Sequence, residues 1–215
     1  MSLGGSIINP GKINTGFIER FRELVLDRKE KFVIVCGGGR PVRDYQQAAS
    51  RLGVDAKGLD KIGIAGTMFN AELIKEVFGK TASRKTYQKP QKTRFGKVLV
   101  AGGWKPGCST DKNAVLWAKE YKATKIFNLS NIDMVYDSDP RLNKKAKPVK
   151  IISWEEYRKK IADKWTPGMN TPFDPVASEL AARYRMTVYV LNGRKLDRLE
   201  KALDNKEFKG TRIEP

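Results

Sequence analysis

Histidine is absent from the 215-residue chain, and cysteine occurs only twice, at Cys36 and Cys108. Without histidine, the protein has neither an imidazole general base nor a histidine ligand for a metal ion. Two cysteines beside glycine-rich turns predict reduced thiols in a cytoplasmic protein rather than a disulfide framework. The sequence has no run of about 18 apolar residues and no signal-peptide pattern in residues 1–10, so we expect neither a membrane span nor a cleaved leader.

Acidic residues are also scarce, because 24 of them stand against 42 lysines and arginines, a formal net charge of +18. Such an excess favours an anionic partner, either a nucleic acid or a phosphorylated metabolite, but it is also typical of a solvated basic surface. The basic residues are spread along the chain, with local density at 84–97 and 144–150. The aromatic signature of RNA-recognition domains and the ligand spacing of zinc fingers are both missing. We therefore do not expect a nucleic-acid partner.

Short apolar runs alternate with amphipathic segments along the sequence. The runs lack polar alternation, which is typical of buried parallel strands; they are residues 32–36, 98–101, 126–129 and 187–191. Helical patterns occupy residues 17–25, 70–77, 114–118 and 175–183, and Ser153 with Glu156 has capping-box spacing, which predicts a helix from Trp154. The alternation, without linker or repeat, predicts one domain over residues 1–215. Its fold class is α/β, a three-layer αβα sandwich with a mainly parallel central sheet.

Three glycine-rich turns stand beside the predicted strands, at residues 4–6, 37–40 and 102–111. Ligands of parallel α/β sheets bind outside the carboxyl ends of the strands. Glycine lets the backbone approach a phosphate closely, and the amides at a helix N-terminus favour its charge. One such turn is more often a simple tight turn, but three at successive strand ends favour a phosphate site. None matches the Walker pattern or the dinucleotide fingerprint, so the usual nucleotide-binding signatures are missing.

A fourth segment, residues 131–140, reads Asn-Ile-Asp-Met-Val-Tyr-Asp-Ser-Asp-Pro. Together with the glycine turns in this order, it resembles the nucleotide-binding loop of the amino-acid-kinase family. Further matches at residues 60–71, 173–177 and 210–215 extend the resemblance over nearly the whole chain, and they are most similar to the archaeal uridylate kinases. The resemblance implies phosphoryl transfer from ATP to UMP in pyrimidine synthesis, with Mg²⁺ carried by ATP. It also implies a homo-oligomer, either a dimer or a hexamer.

The same resemblance implies a role for individual residues. Arg43, Asp133 and Asp174 would act at the phosphates. ATP would contact Gly5, Ser6, Gly39, Arg43, Ser130, Tyr136 and Asp139. UMP would contact Gly38, Asp60, Trp104, Lys105, Pro106, Gly107, Cys108, Ser109 and Thr110. The chemistry agrees, because phosphoryl transfer depends on positioning and charge neutralisation, and an acceptor that is already a phosphate needs no general base.

Three departures from the family pattern concern the first strand and the acceptor. Ser2 replaces a lysine that many members carry two residues before the first glycine, and only three residues precede Gly4. Either the natural chain begins further upstream, which we favour, or the sheet lacks part of its central strand. Trp104 replaces a threonine and Met68 an arginine, which predicts a reshaped acceptor pocket. Two alternatives therefore stay open: a kinase of the same fold for another small acid or phosphate, and a non-catalytic protein that binds nucleotides or oxyanions.

Overall fold

The structure, a computed structural model, describes residues 1–138, 143–160 and 171–215. The strands in these ranges are β1 (Ser2–Leu3), β2 (Phe32–Cys36), β3 (Val98–Ala101), β4 (Lys125–Ser130), β5 (Val135–Tyr136), β6 (Pro148–Val149), β7 (Ile151–Ser153), β8 (Thr187–Asn192) and β9 (Thr211–Glu214). Seven of them form one sheet in the order β3-β2-β1-β4-β8-β9-β7, and β5 pairs with β6 separately. Within the large sheet only the β8–β9 pair is antiparallel, so the predicted mainly parallel sheet is confirmed.

Most of the described helices begin where the sequence supplies a polar cap. They are α1 (Gly5–Ile8), α2 (Thr15–Asp27), α3 (Gly39–Arg51), α4 (Ala56–Phe78), α5 (Thr110–Glu120), α6 (Trp154–Lys160), α7 (Pro175–Arg183) and α8 (Leu196–Leu203). The predicted capping box forms, because Ser153 Oγ accepts from Glu156 N at 3.2 Å and Glu156 Oε2 accepts from Ser153 N at 3.3 Å. Four other helices start at a side chain that accepts a first-turn N–H: Asn14 at α2, Asp55 at α4, Ser109 at α5 and Asp174 at α7.

Helices cover both faces of the sheet and complete the predicted three-layer sandwich. Helices α2, α4 and α8 pack on one face, against strand residues such as Ile34 and Leu191. Helices α5, α6 and α7 pack on the other face, against Val35 and Val190, which are adjacent in sequence to Ile34 and Leu191. Successive residues of one strand therefore enter opposite cores, as the pleat of a strand requires. Among the described helices, none combines the length and the apolar character needed to cross a membrane.

Helix α4 begins 14 residues before its predicted part at residues 70–77, because it starts at Ala56. Glycines interrupt the apolar pattern of its first half, which hid the helix from sequence reasoning. One of them, Gly66, faces α3: a Cβ built there would lie 2.1 Å from Val42 Cγ2. The glycine therefore lets α3 and α4 approach closely, and this contact brings the two helices together beside the glycine turns.

Strand β1 lies at the centre of the sheet but has only two residues. Ser2 and Leu3 pair with Val35 and Cys36 of β2 on one side, and with β4 on the other. The Met1 ammonium extends this strand by donating to Val33 O at 2.6 Å. Burial lowers the pKa of this ammonium to about 5, although the charge of Cys36 acts in the opposite direction.

Candidate active site

The three predicted glycine turns meet at one edge of the sheet. They follow β1, β2 and β3, which are adjacent and parallel, so their carboxyl ends share that edge. A cleft of about 260 Å³ opens there. Nine of the residues assigned to the site from the sequence line it: Gly38, Gly39, Arg43, Asp60, Lys105, Cys108, Ser109, Thr110 and Asp174.

A larger cavity, of about 930 Å³, lies elsewhere and is lined by residues from the amino ends of the strands, including Phe32 and Lys125. The largest pocket is the usual first candidate for a site. Here the smaller cleft is the better candidate, because only it joins glycine turns, helix N-termini and charged side chains at the carboxyl edge of the sheet.

The first two glycine turns pack backbone against backbone. A Cβ on Gly5 would lie 1.9 Å from Gly39 N, and a Cβ on Gly39 would lie 2.4 Å from Asn9 O. Gly39 also has a φ of +83°, which other residues rarely adopt. The glycines are thus required by the contact between the turns, and the sequence alone could not separate this reason from phosphate binding. The contact places the first turn of α3 at the cleft, where Gly38 supplies no side-chain cap and leaves amides for an anion.

Asn70 of α4 holds the second turn from below. Its buried Nδ2 donates to Gly37 O at 2.7 Å and to Gly38 O at 2.9 Å. Both carbonyls are thereby satisfied within the protein, which fixes the backbone of the turn. No role for Asn70 was predicted from the sequence. The available signal was its position inside an apolar helical pattern, because a buried amide needs hydrogen-bond partners.

The loop of residues 103–109, which contains most of the residues predicted to contact UMP, is tied to α4 by two hydrogen bonds. Thr67 Oγ1 accepts from Gly103 N at 2.7 Å, and Asp60 Oδ2 accepts from Gly107 N at 2.7 Å. Ser109 caps α5 by accepting from Lys112 N at 3.0 Å, so its hydroxyl serves the helix. Asp60 therefore lines the cleft, with one carboxylate oxygen engaged by the loop.

Trp104 and Met68, the two residues that depart from the family pattern on the acceptor side, both lie close to the cleft without lining it. Trp104 and its neighbours Pro106 and Gly107 are not among the residues that line the cleft, whereas Lys105 lines it, with its Nζ 4.3 Å from the Trp104 ring centroid. Met68 packs on the third turn, since a Cβ on Gly102 would lie 2.7 Å from its Sδ. Met68 is therefore placed against Gly102 and is not among the residues that line the cleft, and Lys105 is the cation that this loop contributes to the lining.

Two carboxylates form the floor of the cleft. Asp111 Oδ1 accepts from Ser2 Oγ at 2.9 Å, and its Oδ2 accepts from the amide of Asp174 at 3.4 Å. Burial, and then the charge of Asp174, raise the pKa of Asp111 to about 7. Asp174 itself is buried and caps α7 through Ala177 N at 2.8 Å. The sequence analysis assigned Asp174 to the phosphates and no role to Asp111. The signal for Asp111 was its position as an acidic residue in the first turn of α5, at the edge of the site.

The Cys108 thiol lines the cleft without being a nucleophile. Burial raises its pKa to about 11, so the group remains a neutral thiol at physiological pH. The charges of Lys112 and Lys105 act against this shift, but burial is the larger cause. The cleft therefore offers positioning groups and charges but no thiolate for covalent catalysis.

The residues after β4 lie beside the cleft rather than in it. Ser130 adjoins the first glycine turn, because Gly4 N donates to Leu129 O at 2.8 Å. Asp133 accepts from Asn192 Nδ2 at 2.9 Å and from Arg198 Nη1 at 2.7 Å. These partners lower the pKa of Asp133, with the Asn192 hydrogen bond as the largest cause. Three other residues assigned to ATP have different positions: Ser6 is partly buried in α1, Tyr136 is in β5, and Asp139 lies outside the described residues.

Comparisons with known proteins agree with this architecture. The amino acid kinase family model matches residues 1–192. The uridylate kinase of Hyperthermus butylicus is 30% identical over 200 residues, which cover 90% of this chain and 88% of that protein. The uridylate kinase of Methanosarcina barkeri is 32% identical over 220 residues, which cover 99% of this chain and 94% of that protein.

Solved structures show the same likeness. The crystal structure of the uridylate kinase from Archaeoglobus fulgidus matches with a TM-score of 0.81 at 28% identity, over 99% of this chain and 97% of that one. The UMP kinase structure from Bacillus anthracis matches with a TM-score of 0.81 at 22% identity, over 99% of this chain and 93% of that one, a likeness of fold. The glycine turns, the sheet order and the family match lead to one conclusion: the chain belongs to the amino acid kinase family.

Proposed function

We propose that this protein transfers a phosphoryl group from ATP to UMP. The observation that carries the proposal is the cleft at the carboxyl edge of the sheet, which is lined by the first turn of α3 with Arg43, by Lys105, and by the carboxylates Asp111 and Asp174. Such a site neutralises phosphate charge from two sides, which is what phosphoryl transfer requires. UMP is proposed as the acceptor because the relatives are named uridylate kinase.

The donor half of the site is proposed to lie along the first two glycine turns. Gly5, Ser6 and Gly39 would face the ATP phosphates, and Arg43 would bind the transferred group with its planar guanidinium fork. Ser130, Tyr136 and Asp139 would surround the nucleoside. The Asp133 carboxylate already binds Arg198, so its proposed role is to hold this loop against α8.

The acceptor half is proposed to lie between α4 and the loop of residues 103–109. Gly38 and Lys105 would bind the UMP phosphate, and Asp60 would bind the ribose or base. The other residues proposed to surround UMP are Trp104, Pro106, Gly107, Cys108, Ser109 and Thr110. Magnesium would arrive with ATP, and the floor carboxylates suit it, because Mg²⁺ keeps several waters and takes one or two carboxylates. When bound, the ion would supply charge neutralisation at the phosphates.

The same proposal extends to assembly and location. Three large apolar side chains are exposed on these helices: Tyr45 on α3 at 72%, Leu52 at the C-cap of α3 at 84%, and Phe69 on α4 at 82%. Exposed apolar groups on two packed helices are suited to contact with a second copy, so we propose a homo-oligomer, a dimer or a hexamer. The free thiols of Cys36 and Cys108 favour a reducing compartment, the cytoplasm, where UDP would enter pyrimidine nucleotide synthesis.

An ADP-release assay with Mg-ATP and a panel of UMP, CMP, AMP and carbamate tests the proposal. We expect turnover with UMP well above the others. Arg43→Ala is expected to lower kcat about a hundredfold, whereas Arg40→Ala, on the same turn of α3 and 3.9 Å from the carboxylate of Asp44, should leave kcat unchanged. Asp60→Asn should chiefly raise the KM for UMP.

Near-normal turnover of the Arg43→Ala protein would remove Arg43 from the site. A second candidate function is favoured by Met68, which stands where the family carries an arginine for the acceptor. Turnover with another acceptor in the panel, and none with UMP, would establish that alternative. ATP binding without any turnover would identify a non-catalytic nucleotide-binding protein.

A further inference from the structure

A tight turn fixes the backbone of Lys105 at the edge of the cleft. Cys108 N donates to Lys105 O at 3.1 Å, and Pro106 and Gly107 occupy the two central positions of the turn. Proline followed by a glycine with positive φ, here +73° at Gly107, is typical of a type II β-turn. Gly107 N also donates to Asp60 Oδ2 at 2.7 Å. The turn is therefore closed by one hydrogen bond and tied to α4 by another.

The residue before Lys105 follows a second fixed point of the loop. Gly103 N donates to Thr67 Oγ1 at 2.7 Å, and a Cβ built on Gly103 would lie 3.3 Å from Ile64 Cγ1, so this glycine packs closely on α4. Trp104 comes directly after it and is half-buried. Because the backbone is held on both sides, the main freedom left in this part of the loop is in the side chain of Lys105.

The Lys105 ammonium lies over the Trp104 ring, with Nζ 4.3 Å from the ring centroid. A cation within about 6 Å of an indole centroid is attracted to the negative face of the ring. In the part of the chain that the structure describes, the lysines that form ion pairs are other ones. An ammonium has three N–H donors, and the ring covers only one side of it. The group is therefore held in place and still able to bind an anion.

Holding the ammonium matters because Lys105 is exposed. An unsupported lysine side chain would sample many rotamers in solvent, and binding a phosphate would cost that freedom. A ring that keeps the ammonium in one place removes part of this cost before the anion arrives. Lys105 lines the cleft and Trp104 does not, so a bound nucleotide would meet the ammonium rather than the ring. Trp104 can then affect a nucleotide only through Lys105.

We propose that Trp104 is a positioning residue for the acceptor phosphate. Its ring holds the Lys105 ammonium at the cleft, and the ammonium binds the phosphate of the acceptor nucleotide. This inference rests on the proposed function, because it takes UMP as the acceptor. It adds to that function a reason for an aromatic residue at position 104, which packing of the loop alone would not require.

Calorimetric titration with UMP in the absence of ATP tests the proposal on the full chain without any turnover. Lys105→Met should weaken UMP binding about tenfold, since it removes a hydrogen bond to a charged group. Trp104→Leu should weaken it about threefold, and Trp104→Phe, which keeps an aromatic ring, should recover most of that loss. Lys57→Met, an exposed lysine at the start of α4, is the charge control and should leave UMP binding unchanged. In the ADP-release assay, Trp104→Leu should raise the KM for UMP and leave kcat unchanged.

The double variant Trp104→Leu with Lys105→Met decides whether the ring acts through the lysine. If it does, the double variant binds UMP as Lys105→Met does, with no further loss. An equal loss from Trp104→Leu with and without Lys105 would mean that the ring contacts the nucleotide itself, which overturns the proposal. Normal UMP affinity in Trp104→Leu, with a lowered Tm as the only effect, overturns it as well and leaves the proposed function intact. A natural chain that does not bind UMP would instead contradict the proposed acceptor, and this inference with it.

Discussion

Among single residues, Asp111 controls how the cleft floor responds to pH. Its pKa is about 7 in the folded chain, against an ordinary value of 3.8, so the folded state binds a proton between these values and the unfolded state does not. The stability from this protonation is present below pH 4 and is lost as pH rises through 7. Asp111→Asn removes the effect, so the variant should gain stability relative to the natural chain between pH 5 and 8. The gain is on the order of 2–4 kcal/mol.

Urea unfolding at pH 5 and pH 8 measures this difference. The Met1 ammonium, whose pKa is lowered to about 5, makes stability rise with pH in both proteins and so cancels from the comparison. Asp44→Asn, an exposed change on α3 with a side chain 65% exposed, is the matched control and should show no pH-dependent difference. Parallel stability profiles for Asp111→Asn and the natural chain would contradict the prediction.

The paired glycine turns are the element on which the cleft depends most. Gly39→Ala should lower the free energy of unfolding by about 2–4 kcal/mol, because the added Cβ meets Asn9 O at 2.4 Å and the φ is +83°. Gly53 has the same φ of +83° with nothing within 4 Å of a built Cβ. Gly53→Ala should therefore cost only about 1–2 kcal/mol.

The difference in unfolding free energy between the two alanine variants measures the contribution of the contact between the first and second glycine turns. It is measured by chemical denaturation under identical conditions. Equal losses of unfolding free energy in the two variants would mean that the backbone conformation is the whole reason for glycine at position 39. The close approach of the first turn would then contribute nothing to that requirement.

The elements that the sequence predicted are those whose signal is local. Continuous apolar runs identified β2 and β3 to the residue, and the spacing of Ser153 and Glu156 identified the start of α6. The short edge strand β7 and its neighbour β9 were not predicted, because three or four residues of mixed polarity, such as Ile151–Ser153, resemble a loop. Their place in the sheet depends on long-range pairing.

The candidate site was predictable only in part for the same reason. Its glycine turns are contiguous motifs, whereas Asn70 acts on a turn 33 residues away and Asp111 meets Asp174 across 63 residues. No periodicity or spacing in the sequence encodes such contacts. The protonation of Asp111 depends further on burial, which only the folded packing supplies.

For the whole molecule, the exposed apolar side chains of α3 and α4 are expected to determine its mass in solution. The double variant Phe69→Glu with Tyr45→Glu should sediment as a monomer. Association would bury the two introduced carboxylates in the proposed interface, and burying an unpaired charge is unfavourable. Ile151→Glu is the control, since Ile151 is 54% exposed on β7 rather than on these helices. Sedimentation velocity gives the answer, and an unchanged mass for the double variant would exclude this face.

Helix α4 joins three parts of the molecule that are otherwise separate. Asn70 holds the second glycine turn, Asp60 holds the acceptor loop, and Phe69 faces outward beside α3. A rigid helix moves as one body, so a nucleotide that displaces Asp60 from Gly107 also shifts the outer face. Association and acceptor binding are then linked reciprocally, as cooperativity between copies. The apparent affinity for the acceptor should accordingly depend on protein concentration, and a KM that is constant across the dissociation range would show that α4 does not transmit the change.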